Sequence, residues 1–344
     1  MSDVSIRIEG AAGRITLTRE SALNALSHEM CLAIDAALID WAQDPAVKVI
    51  LIDALGEKAF CAGGDIVEMY HNGRAGNFDQ ARHFWRDEYR MNARIADYPK
   101  PIVAFLQGFT MGGGVGLGCH ASHRVVGDTT QIAMPECAIG LVPDVGGSFI
   151  LAGLNQLLPG LGSWIGTTGH RIKGARAIPG FATHHAPENT WPDLKARIID
   201  TGTIPLPEGE STAAPDPTPV ARHFDKPDLA SILAALTDDP SDEAQAALKA
   251  LSRADPLATA CHLAILHRLT PQSTIRDALT LEYRFTYRCM EQGNFLEGIR
   301  AAVIDKDRSP KWPNPSLTSV TPQQVDAMLA PLGANDLTFP EDNT

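Results

Sequence analysis

Apolar and polar residues alternate along Arg14-Ile-Thr-Leu-Thr-Arg19, which predicts a half-buried strand. The period then changes. Met30, Ile34, Leu38 and Trp41 recur at helical spacing, Ser27 is placed to cap that helix, and Asp44-Pro45 ends it. Val47–Ile52 is β-branched and apolar except for Lys48, and reads as a buried strand. Pro101–Leu106 reads the same way, and His123–Gly127 is a further short strand. Strands alternating with helices predict an α/β layered fold.

The pattern shifts after about Pro187. Residues 203–219 hold five prolines and predict a linker or long loop. Beyond Asp225 the chain reads as helical throughout. One helix carries Leu229, Ile232, Leu233 and Leu236, a second runs from Leu257 to Leu269, and a third, Ile275–Gln292, stops at Gly293. No repeat of fixed period is present. The expected layout is an α/β part over 1–190, a Pro-rich linker over 191–225 and a helical part over 226–344.

Composition narrows the function more than the fold. With 44% apolar and 20% charged residues the chain is an ordinary globular one. A net charge of −12 excludes general nucleic-acid binding, which needs clustered Lys and Arg. The six cysteines form no C-x-x-C pair, so neither a zinc site nor a disulfide framework is expected, and a reducing compartment fits. The N-terminal residues carry no targeting pattern, so a cytoplasmic location is expected. Residues 102–118 are fairly apolar but include Gln107 and six glycines, a poor membrane span.

The candidate chemistry sits in one stretch. Between Met111 and Ser148, apart from the thiols, the ionisable residues are His120, His123, Arg124, Asp128 and two acids eight residues apart, Glu136 and Asp144. Two acids in an apolar Pro/Gly frame titrate abnormally and can serve as an acid and a base. Taken singly, Glu136 reads equally as a helix cap and Asp144 as a turn brace. Gly112-Gly113-Gly114 lies after the strand at 101–106, and Ala59-Phe-Cys-Ala-Gly-Gly-Asp-Ile66 after the strand at 47–52, with Asp65 able to cap the next helix. Small-residue loops after neighbouring parallel strands bring backbone amides to one sheet edge, where they can hold an oxyanion. Glu88 reads by itself as an exposed helical acid, and His120 and His123 as packing residues. Gly116-Leu-Gly-Cys-His-Ala121 fits a loose dinucleotide-binding pattern, but its strand ends too early and the segment reads as mid-helix.

Ala59–Ile66, Gly112–Gly114 and Met134-Pro-Glu136, at this spacing, resemble the crotonase (enoyl-CoA hydratase/isomerase) superfamily. The resemblance implies a spiral of ββα units, an acyl-CoA substrate and an oxyanion hole formed by the backbone N–H groups of Gly64 and Gly113, with Ala62, Gly63 and Asp65 beside the substrate. Hydratases of the superfamily use two glutamates. The later one matches Glu136, but the earlier position is Gly116 here. Glu136 with Asp144 in Pro143-Asp-Val-Gly-Gly147 resembles instead the 3-hydroxyisobutyryl-CoA hydrolase subfamily, which acts in valine degradation. Arg86–Tyr89 is similar too, and implies that Glu88 contacts substrate, as are Glu282-Tyr-Arg, Glu297-Gly-Ile-Arg-Ala301 and Ile304–Trp312. The resemblance spans about 5–185 and 250–339 and implies catalysis by Glu136 and Asp144 with no metal or separate cofactor. It also leaves the helical tail free either to support a homo-oligomer or to shield the core of one subunit.

Overall fold

The computed structural model describes residues 3–206 and 219–340. Residues 207–218, the larger part of the expected linker, lie outside them. In chain order the strands and helices begin with β1 (Val4–Glu9), β2 (Ala12–Leu17), α1 (His28–Gln43), β3 (Val49–Ala54), β4 (Ala59–Cys61), α2 (Ile66–Arg74) and α3 (Asp79–Ala96). There follow β5 (Ile102–Leu106), β6 (Phe109–Met111), α4 (Gly113–Gly118), β7 (His123–Val126), β8 (Gln131–Ala133), α5 (Gly147–Leu157) and α6 (Leu161–Thr168). The rest are β9 (Ile172–Lys173), β10 (His184–His185), α7 (Trp191–Thr201), α8 (Leu229–Thr237), α9 (Asp242–Leu251), α10 (Pro256–Arg268), α11 (Ile275–Cys289), α12 (Phe295–Ile299) and α13 (Pro322–Leu329).

These elements form two compact units that interleave along the sequence. The first holds residues 1–64, 87–133 and 171–216; the second holds 65–86, 134–170 and 217–344. This division differs from the consecutive blocks 1–190, 191–225 and 226–344. Residues 191–201 in particular are helix α7 rather than linker. The signals for it are Pro192 in the first turn and Gly202 in the left-handed conformation just past the end.

The first unit carries both sheets. One has the order β1-β2-β3-β5-β7-β10, parallel except for the β1/β2 hairpin; the other has the order β4-β6-β8-β9, parallel except for β8/β9. The chain therefore repeats one move three times. It lays a strand in the first sheet, turns into the second, and passes into helix: β3-β4-α2, β5-β6-α4 and β7-β8-α5. This is the ββα spiral the resemblance implies. Valines and isoleucines at 49–52 and 102–103 are buried on both faces, as interior parallel strands require. Ala12, Val49, Leu51, Val103, Phe105 and Val125 pack under Trp191, Ile198 and Ile199 of α7. Ser27 accepts a hydrogen bond from the Met30 N–H, and Met30, Ile34, Leu38 and Trp41 form the buried face of α1.

The second unit is helical, as expected of the tail. Thr274 and Asp277 form a reciprocal capping box at the start of α11. That helix ends at Cys289, short of Gln292, and a Cβ on Gly293 would stand 2.8 Å from the Cys289 carbonyl oxygen. Among the described residues no helix is long and apolar enough to cross a membrane.

Candidate active site

Topology gives the three motif segments equivalent positions. Ala62–Asp65 follows β4, Gly112–Gly114 follows β6, and Met134-Pro-Glu136 follows β8, each at the carboxyl end of a strand in one parallel run. Ala59–Cys61, read as loop from sequence, is a strand only because the neighbouring chain supplies its ladder. Ligands bind at such strand ends in open α/β sheets.

In the first unit the two glycine loops meet backbone to backbone. A Cβ on Gly114 would stand 2.4 Å from the Cys61 carbonyl oxygen, so only glycine permits this approach. Gly63 has φ +118° and Gly112 φ +48°, conformations that side-chain-bearing residues rarely adopt. The Leu26 N–H donates to the Gly63 carbonyl at 2.8 Å and the Ala62 N–H to Leu23 at 3.0 Å, which fixes the first loop. Gly64 forms a single parallel bridge with Leu26. Gly113 is the first residue of α4, where N–H groups have no partner within the helix. Asp65 stands at the N-cap position of α2, but its side chain makes no capping bond. Segment 116–121, expected to be mid-helix, is split: α4 ends at Gly118.

Glu88 is not the exposed acid its local sequence suggests. It is 2% exposed, and its Oε1 lies 2.8 Å from the point a Cβ on Gly113 would occupy. The missing side chain at Gly113 is what admits the carboxyl group. His120 is buried, and His123 stacks on His184 with ring centres 5.7 Å apart, in line with packing roles.

The second unit gathers three carboxyl groups: Glu136 (5% exposed), Asp144 (4%) and Glu282 (0%). Glu136 opens a 3-10 turn, Glu136–Ile139, and its Oε2 is buried with no hydrogen-bond partner among the described residues. Burial first, then the nearby Asp144 and Glu282, push the Glu136 carboxyl well above the usual range. Glu282, on α11, accepts hydrogen bonds from the Gly146 N–H at 2.8 Å, the Ser148 N–H at 3.0 Å and the Ser148 hydroxyl. Burial raises its pKa to about 8, with Asp144 adding and those three donors opposing. Between Asp144 and Gly146 lies Val145, a buried β-branched residue at φ +54°. A valine there is strained by about 1–3 kcal/mol, and such strain collects at functional sites. Glu282 thus clamps the turn that carries Asp144. Sequence reading noted Glu282 only as part of a matching tail; its acceptor role needs the fold. Asp255 braces the Glu136 turn from the other side: its N–H donates to the Cys137 carbonyl at 2.8 Å, and Asn294 Nδ2 donates to its carboxyl at 2.8 Å.

The raised carboxyls set a pH dependence. A native Glu282 holds its proton up to about pH 8, while an unfolded one loses it near about pH 4.3. The stability it contributes is full below the lower value and is lost as pH rises through the upper one. Urea midpoints are therefore expected to fall more steeply between about pH 5 and 8 in the wild-type protein than in Glu282→Gln. The comparison separates Glu282 from the buried His262, which acts in the opposite sense because burial holds it down at about 3. Parallel profiles would mean that Glu282 is ionised in the native state.

The ββα spiral, with glycine loops at the strand ends of one unit and raised acids in the other, is the fold of the crotonase class. Residues 12–329 match the family model described as enoyl-CoA hydratase/isomerase, and the chain belongs to that family. A Gallus gallus protein named 3-hydroxyisobutyryl-CoA hydrolase, mitochondrial, is 37% identical over 357 residues, covering 98% of this chain and 91% of its own. Its Xenopus tropicalis namesake is 38% identical, covering 95% and 89%. A solved structure from Rhodobacter sphaeroides 2.4.1, described as an enoyl-CoA hydratase, is 54% identical with a TM-score of 0.94 over 98% of this chain and 100% of that one. Another from Mycobacterium thermoresistibile, described as a carnitinyl-CoA dehydratase, is 35% identical with a TM-score of 0.89 over 99% of each.

Proposed function

We propose that this protein hydrolyses a small 3-hydroxyacyl-CoA thioester, 3-hydroxyisobutyryl-CoA, to 3-hydroxyisobutyrate and CoA. The observation that carries this reading is the buried Glu136 beside Asp144 in a chain whose residue 116 is glycine. Water addition in this family uses two glutamates, and this chain keeps one. The relatives named 3-hydroxyisobutyryl-CoA hydrolase, similar over nearly the whole chain, support the acyl group.

In this reading the amides of Gly64 and Gly113 hold the thioester oxygen as charge develops on it, and Ala62, Gly63 and Asp65 flank the substrate. The Glu136 carboxylate adds to the carbonyl carbon, the C–S bond breaks, and Asp144 supplies the proton that the CoA thiolate takes up. Water then cleaves the mixed anhydride, giving one proton back to Asp144 and one to solvent, releasing the hydroxy acid as its carboxylate and restoring the Glu136 carboxylate. The same groups serve if Glu136 instead acts as base for a water. Either way the reactive form of Glu136 is ionised. Its raised pKa then makes kcat/KM rise with pH above the ordinary carboxylate range as the carboxyl ionises, opposite in direction to the stability profile. The steps draw only on groups of this chain and its CoA substrate. A reducing compartment is part of the proposal, in keeping with six buried free thiols.

A second reading, hydration or isomerisation of an enoyl-CoA, is favoured by the name of the 54% identical structure. Thiol release, followed with a chromogenic disulfide, separates the two. Rapid release from 3-hydroxyisobutyryl-CoA but not from crotonyl-CoA is expected. Consumption of crotonyl-CoA with the thioester left intact would overturn hydrolysis. Asp144→Gly is expected to slow release by about 10²-fold, the usual size of a proton-transfer contribution, and unchanged kinetics would remove Asp144 from the mechanism.

A further inference from the structure

We infer that Asn92 is a specificity residue for the acyl group, its amide N–H donating to the substrate hydroxyl that itself donates to Glu88. This rests on the hydrolase reading and deepens it. Asn92 lies on α3 four residues after Glu88, so the two side chains share one helix face, with Cβ atoms about 5–6 Å apart. Glu88 faces Gly113, the residue assigned to the thioester oxygen. Asn92 is 0% exposed, yet among the described residues neither its Nδ2 nor its Oδ1 has a hydrogen-bond partner.

Other buried amides in the same unit are used to build the fold. Asn24 donates to the carbonyls of Leu55 and Ala59, and Gln107 to those of Ala54 and Gly56. Asn92 makes no such bond, and an apolar side chain of the same size would fill its place at lower cost. A polar group kept at the expense of stability beside a substrate-facing carboxyl marks a function. The chemistry fits a hydroxyl, which has one hydrogen to give and lone pairs to fill. A Glu88 carboxyl oxygen can take the hydrogen of the hydroxyl, which leaves the hydroxyl lone pair for a donor, and an amide NH2 one turn along the helix supplies it.

The test compares 3-hydroxyisobutyryl-CoA with isobutyryl-CoA, which lacks only the hydroxyl, in the wild-type protein, Asn92→Leu and Asn92→Asp. Both variants remove the donor, and the aspartate keeps the shape. The ratio of kcat/KM for the two thioesters is expected to fall by about 10- to 100-fold in each, the usual discrimination of one buried hydrogen bond. The denaturation midpoint of Asn92→Leu is expected to match or exceed that of the wild type. A ratio unchanged in a wild-type background that favours the hydroxylated thioester overturns the inference alone. So does an equal loss on both thioesters with lowered midpoints, which is the mark of a purely structural residue. If the wild-type protein frees thiol from neither thioester, the hydrolase reading fails and the inference fails with it.

Discussion

Glutamine in place of Glu136 is expected to lower thiol release by at least about 10³-fold while acyl-CoA binding stays within a few-fold of wild type. The state of the carboxyl in the free protein decides both effects. Burial and its acidic neighbours favour the protonated form of Glu136, and a glutamine amide has nearly the shape and the neutrality of that form. Folding and binding therefore lose little. What disappears is the ionised form, the one able to attack a carbonyl or take a proton from water. Single-turnover assays with calorimetric binding of the same thioester check both halves. A glutamine variant with near-normal turnover would remove Glu136 from the chemistry altogether.

Removing Glu282 is expected to have the largest effect on stability. Alanine there leaves the Gly146 N–H, the Ser148 N–H and the Ser148 hydroxyl without their acceptor in a dry interior. The expected cost is about 3–5 kcal/mol, since each donor left without an acceptor costs about 1–3 kcal/mol. Val145 gives the effect a second face. Its left-handed backbone is held by bonds on both sides of it, including the Gly147 N–H donating to the Asp144 carbonyl at 2.6 Å. With the clamp gone, the turn should relax toward an ordinary valine conformation and move Asp144. Urea unfolding and kcat are expected to fall together in Glu282→Ala and to recover in large part in Glu282→Gln, which keeps an acceptor oxygen. A fully stable alanine variant would show that the turn needs no clamp.

The first sheet was legible because β3 and β5 are long, continuous apolar runs, which few other structures tolerate. The second sheet was not, because β4, β6 and β8 are three residues each and owe their form to neighbours distant in sequence. Helix α7 was missed although its start and stop signals were present, since prolines at 187, 205 and 207 drew attention to loop chemistry. Motif spacing marked Glu136, Asp144 and the glycine loops. It did not reveal what stands behind them. The burial of Glu88 follows from an absent side chain at Gly113, and Glu282 reaches its turn across more than a hundred residues, so neither is encoded in a local pattern.

The interleaving of the two compact units governs how the chain can be made. Leaving the ribosome from its N-terminus, it releases the first unit's sheet strands long before α7, whose Trp191, Ile198 and Ile199 cover them. The second unit waits longer, since its early helices α2, α5 and α6 also pack on α10, α11 and α12, which emerge only after residue 217. For most of its synthesis the nascent chain exposes apolar strands and half-assembled helices, the condition in which chaperones are engaged. Each unit is threaded through the other in sequence, so a stop codon or a proteolytic cut near residue 190 leaves pieces of both and the entirety of neither.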